Sequence, residues 1–108
     1  MAYDRDLANR IRELVAGETV VEKAMFGGLA FLLNGNMSVA ASGQGGLLVR
    51  SDPDDLSVLD EPGVSPMEMR GREMKGWLRV AADAVESDAA MARWVSHGIS
   101  YAKTLPPK

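Results

Sequence analysis

Apolar and polar positions alternate along the middle of the chain and recur at helical spacing near both ends. Leu7, Ile11, Leu14 and Val15 fall at i, i+4, i+7 and i+8, which predicts a helix over Asp4–Ala16 with one apolar stripe. Asp4 is placed to cap it and Gly17 follows it. Near the other end, Met91, Trp94, Val95, Gly98, Ile99 and Ala102 keep the same period, capped by Ser87 or Asp88 and running to about Lys103. Gly98 weakens that helix by about 1 kcal/mol relative to alanine, so its place on the stripe predicts close approach to a sheet. Thr104–Lys108 reads as an extended, proline-rich tail.

Between the helices the period is two. Val20–Phe26 predicts a first strand. Leu29, Phe31 and Leu33 mark one face of a second, and Met37, Val39 and Ala41 one face of a third. Asn34-Gly35 suggests a two-residue hairpin loop, but that register sets Phe31 opposite Ser38. A three-residue loop at Asn34–Asn36 pairs Leu33 with Met37, Phe31 with Val39 and Leu29 with Ala41. Because a one-residue slip exchanges the faces, the face pattern is followed, with Asn36 left-handed. Beyond Ser42–Gly46, Ala41 pairs with Leu47 and Val39 with Val49. Asp52-Pro53-Asp54-Asp55 then opens a short helix capped by Asp52. Glu61–Pro66 reads as a loop, Met67–Arg70 as a short strand, Gly71–Gly76 as a turn and Trp77–Ala82 as another strand. The class is α+β: an antiparallel sheet of about five to six strands, helices at both chain ends and a short helix in the middle.

The 108 residues make one domain, spanning 1–108. A net charge of −3 gives no global attraction to nucleic acid or anionic membrane. With no cysteine there is no disulfide and no cysteine-ligated zinc, which fits a cytoplasmic setting. No apolar run reaches membrane-spanning length, and charges in Met1–Arg10 stand where a signal peptide is apolar.

Candidate chemistry is sparse. Gly27-Gly28 reads as a tight turn, with a backbone cradle for a ligand as the functional alternative. No phosphate-binding glycine pattern follows it. Arg70, Arg72, Lys75 and Arg79, with Trp77 among them, form a basic hairpin suited to phosphate or single-stranded nucleic acid. The simpler reading is a solvated hairpin answered by Glu68 and Glu73. Asp52, Asp54 and Asp55 suit a helix start better than a metal. The sole histidine, His97, lies beside the final stripe with no Ser, Cys or Asp in a recognisable arrangement.

Met25-Phe26-Gly27-Gly28, Phe31, Asn34-Gly35-Asn36-Met37 and Gly46-Leu47-Leu48-Val49-Arg50 carry a family resemblance, closed by Asp88, Trp94 and Ala102 in the final helix. The chain resembles the TfoX/Sxy N-terminal domain family from roughly Asp4 to Leu105. The resemblance implies an α+β fold similar to secretion-chaperone-like domains. The family's namesakes regulate natural competence together with a cyclic-AMP-responsive transcription activator, and carry a second, helical C-terminal domain. The expectation here is a stand-alone domain of the N-terminal type, and Val64–Val85 differs from the namesakes' pattern. No catalytic residue is carried over.

The expected function is a non-catalytic cytoplasmic domain that binds another protein, in a setting such as transcription regulation, with self-association alongside. No cofactor, metal, nucleic acid or membrane is expected with it. The alternative is a small-ligand or nucleic-acid binder using Gly27, Gly28 and the Arg70–Arg79 hairpin.

Overall fold

The computed structural model describes residues 4–25, 27–43, 45–55, 57–69 and 71–107. Helix α1 (Arg5–Leu14) leads into strands β1 (Val20–Met25), β2 (Gly28–Leu33), β3 (Asn36–Ala41) and β4 (Leu47–Arg50). A 3-10 helix (Ser57–Asp60), β5 (Val64–Met69), β6 (Arg72–Val80), a second 3-10 helix (Ala82–Val85) and α2 (Asp88–Ala102) follow. The six strands form one antiparallel sheet in the order β1-β2-β3-β4-β6-β5. The fold is α+β.

Both helices start where their caps dictate. Asp4 Oδ1 accepts from the backbone N–H of Asp6 at 2.9 Å, and Ser87 Oγ from that of Ala90 at 3.1 Å. The α2 stripe is buried along its whole length. On α1, Leu7, Ala8 and Ile11 are buried, as is Val15 just after its end, while Leu14 is 43% exposed. The buried arc turns toward Ala8, so Leu14 falls outside it, against expectation.

The main core lies between these helices and one face of the sheet. Leu29, Phe31, Leu33, Val39, Leu47, Val49, Leu78 and Val80 meet Ile11, Trp94, Val95 and Ile99 there. Both 3-10 helices join this side through Val58 and Val85. The opposite face has its own cluster of Ala30, Met37, Ala40, Leu48 and Met67, with Met25, Leu32, Met74 and Trp77 against it. Among the described residues, no helix contributes to that cluster.

The β2–β3 hairpin corrects the expected register. Asn34 (φ 54°) and Gly35 (φ 83°) form a two-residue turn, and Leu33 pairs with Asn36. Asn36 is strand, not left-handed. The twist of such a turn matches that of the strands, and a bulge absorbs the conflict between turn and face pattern. Leu32 pairs with Met37 but Phe31 with Val39, leaving Ser38 as the extra residue. Phe31–Val39, Leu29–Ala41, Ala41–Leu47 and Val39–Val49 pair as expected.

Gly98 meets the sheet at this bulge. A Cβ there would stand 2.3 Å from the Ser38 carbonyl oxygen, so only glycine lets α2 seat on β3. The bulged Ser38 is buried, and its Oγ donates to the Phe31 carbonyl at 2.9 Å.

The second half differs more from expectation. Asp52 Oδ1 accepts from Asp54 N–H in a local turn, and the helix begins only at Ser57, in 3-10 form. Strand β5 begins at Val64, within the expected loop, and contains Pro66, which an edge strand tolerates because no ladder donor is needed there. Strand β6 begins at Arg72, so Glu73–Gly76 is strand rather than turn. Pro66 pairs with Leu78 and Met67 with Met74, so Lys75, Gly76 and Trp77 arch out of the β5–β6 ladder while Trp77 stays paired with β4, with Gly76 at φ 83°. Beyond Val80, Ala82 opens the second 3-10 helix instead of ending the strand.

Candidate functional site

Strand parity sorts the expected contact residues. Leu48 pairs with Arg79 and Arg50 with Trp77, so these four share the helix-free face. Arg72 lies two positions from Met74, which belongs to the same face's cluster, and Lys23 pairs with Ala30 of that cluster. The register thus places Arg72, Trp77 and Arg79 on one face with Arg50, and Lys23 on the same face but four strands from Arg79. None of the described strand positions on this face carries a carboxylate. Glu68 and Glu73 pair with each other on the opposite parity. Ion pairs Arg10–Asp88, Arg12–Glu22, Arg93–Glu61 and Lys103–Glu18 lie on the helix side. Arg79 is half-buried, and its Nη2 donates to the Gly45 carbonyl at 3.5 Å. Lys75, in the arch, lines a 280 Å³ cavity with Asp52, Asp55, Glu73 and Trp77. Arg70 lies outside the described residues, as does Phe26 of the motif around the glycine pair.

Gly27 and Gly28 sit at the β1–β2 turn, on the far side of the sheet from the hairpin. Gly27 has φ 75°, and a Cβ on Gly28 would stand 2.1 Å from the Ala41 carbonyl oxygen. One on Gly43 would stand 2.4 Å from the Gly27 carbonyl oxygen. The glycines let two neighbouring turns pack backbone against backbone, and neither lines the cavities described here.

Arg50 was not among the expected residues. Its guanidinium carbon lies 4.5 Å from the Trp77 ring centroid and 5.8 Å from that of Tyr101 on α2. Its Nε is buried without a hydrogen-bond partner among the described residues. It lines a 470 Å³ cavity walled by Met25, Leu32, Met37, Trp77 and the tail residues Leu105 and Pro106. Asn36 Nδ2 donates to the Pro106 carbonyl at 2.9 Å and fastens that wall. The parity shared by Leu48 and Arg50, opposite to that of Val49, was the available signal. Its pairing with Trp77 was not, because β4 and β6 are joined through a long excursion.

His97 has a partner that the sequence does not reveal: its Nε2 lies 2.9 Å from Ser51 Oγ. Its ring packs edge-on against Trp94, with centroids 5.6 Å apart. Burial lowers the imidazole pKa, with Arg93 adding to that effect and Asp55 and Glu61 opposing it. Ser51 is 1% exposed. Asp55 Oδ1 takes hydrogen bonds from the backbone N–H and Oγ of Ser57, which hold its pKa below the usual carboxylate value. The serine, histidine and aspartate are thus neighbours without the relay geometry of an activated nucleophile. Among the described residues, no three His, Asp or Glu side chains gather as a metal-ligand set, and no helix is long and apolar enough to cross a membrane.

No curated protein and no solved structure matches the chain. A family model described as the TfoX N-terminal domain matches residues 13–102, a span holding the whole sheet and α2, and the chain belongs to that family.

Proposed function

We propose that this domain is a non-catalytic protein-interaction module, in a setting such as transcription regulation, whose helix-free sheet face receives an acidic protein surface. One observation carries the reading: that face joins a methionine-rich apolar floor to cationic strand positions without a carboxylate among its described strand positions. Met25, Met37, Met67 and Met74 are unbranched and polarizable, so they adapt to an incoming apolar side chain. Lys23 and Arg72 are exposed and would select carboxylates at the rim. Two copies meeting symmetrically through this face would set these cations against themselves, which favours a different, acidic partner. Nucleic acid fits less well, because Trp77 is the sole described aromatic of the cluster and Arg50 covers it.

The test is photo-crosslinking in the native cell, with the reactive group placed at Lys23 or Arg72 and, as control, at Glu13 or Ser96 on the helix side. A discrete protein adduct from the first pair alone, abolished by Lys23→Glu with Arg72→Glu placed beside a crosslinker at Val21, is expected. Adducts containing only nucleic acid, only a second copy, or arising equally from both sides would overturn the reading.

A further inference from the structure

The geometry points to a ligand site within that same face: the cleft between Arg50, Trp77 and the C-terminal tail binds a small organic acid, a monocarboxylate on an apolar body. The cation comes first. Arg50 is held against Trp77 and beside Tyr101, so its planar fork is fixed before any ligand arrives. No carboxylate lies within 4.0 Å of it among the described residues. Among the described residues its buried Nε–H meets no acceptor, so the contact with Trp77 and the terminal nitrogens carry its interactions. A carboxylate entering the cleft meets the terminal guanidinium nitrogens, whose two parallel N–H groups make the bidentate contact.

The rest of the cleft selects the body of that acid. Its 470 Å³ lies within the range of small-molecule sites. Met25, Leu32, Met37, Leu105 and Pro106 offer apolar surface, and Arg50 is the single charged group among the described lining residues. A phosphate dianion would leave one charge unmatched beside those side chains, and burying an unpaired charge is strongly unfavourable. A monoanion with an aryl or short aliphatic body satisfies both halves. The cleft's walls Met25, Met37 and Trp77 also belong to the face proposed for a protein partner, so binding to the isolated protein tests the cleft apart from that reading.

The experiment titrates the intact protein with phenylacetate while following the Arg50 Nε–Hε resonance by NMR. Phenylacetamide serves as the neutral isostere and inorganic phosphate as the bare anion. Phenylacetate is expected to move the Arg50 signal and to bind at least about tenfold more tightly than phenylacetamide, as a charged hydrogen bond requires. It should also bind more tightly than phosphate. Arg50→Gln should remove that preference, and Leu105→Ala should weaken the acid and the amide alike. An unmoved Arg50 signal, equal affinity for acid and amide, or tighter binding of phosphate would overturn the proposal. The three-ligand comparison on the unmodified protein decides even if a variant does not fold.

Discussion

At the scale of single residues, His97 shows what burial does to a group that looked inert. Its pKa is lowered from 6.5, with desolvation as the first cause. The unfolded chain therefore binds more protons than the folded one as pH falls through this range. His97's contribution to stability is fully present above about pH 6.5 and is lost as pH falls through the lowered folded value. Replacing it by glutamine, which keeps a polar atom near Ser51, should flatten the pH dependence of the unfolding free energy just below about pH 6.5. Urea titrations of both proteins across that range check this. Identical slopes would mean that His97 is not desolvated as described. Neither the Ser51 contact nor the Arg50 stack was legible in the sequence, for one reason. Each joins residues distant in the chain, and a local pattern carries no information about such pairs. Gly98 was legible, because a helix breaker on a buried stripe has few purposes other than close approach.

At the scale of elements, the junction of α2 with the β3 bulge tests the packing. Gly98→Ala should favour the helix by about 1 kcal/mol. Against this, the new methyl meets the backbone carbonyl of Ser38, which has no rotamer to escape into, and such overpacking costs about 1–3 kcal/mol. Net destabilisation of up to about 2 kcal/mol is expected, measured by chemical unfolding. A raised midpoint would show that the helix stands off the sheet. The helices themselves were readable from their period, and β2, β3 and β4 from alternation. The hairpin register was not, since Asn34-Gly35 and the face pattern demanded different loops and a bulge satisfied both. Nor was the β5–β6 hairpin: Pro66 and Gly76 read as breakers, yet one lies on an edge strand and the other in an arch within the ladder. Neither position is identifiable before the strand order is known.

For the whole molecule, Trp94 and Trp77 report on opposite sides of one sheet. Trp94 belongs to the helix-covered core and Trp77 to the methionine-rich cluster. If the two layers share a single cooperative unit, as small domains usually do, Trp77→Phe and Trp94→Phe should each leave one fluorescence transition. In each variant it should coincide with the loss of far-ultraviolet circular dichroism. Separate midpoints for the Trp77 signal and the dichroism would mean that the helix-free side melts on its own. The family match spans most of the chain and fits such a unit, while the face that carries the proposed contacts depends on strand order.

The position of α2 after every strand has a consequence for how the chain emerges during synthesis. The ribosome delivers the complete sheet before the helix that covers Phe31, Val39 and Val49. Nascent strands therefore emerge with only α1 and the 3-10 helices to cover that apolar side, and only a hairpin whose bulge falls at Ser38 can accept Gly98 when it arrives. The last helix thus acts as a proofreader of strand register: a slipped hairpin finds no cover and remains free to re-pair.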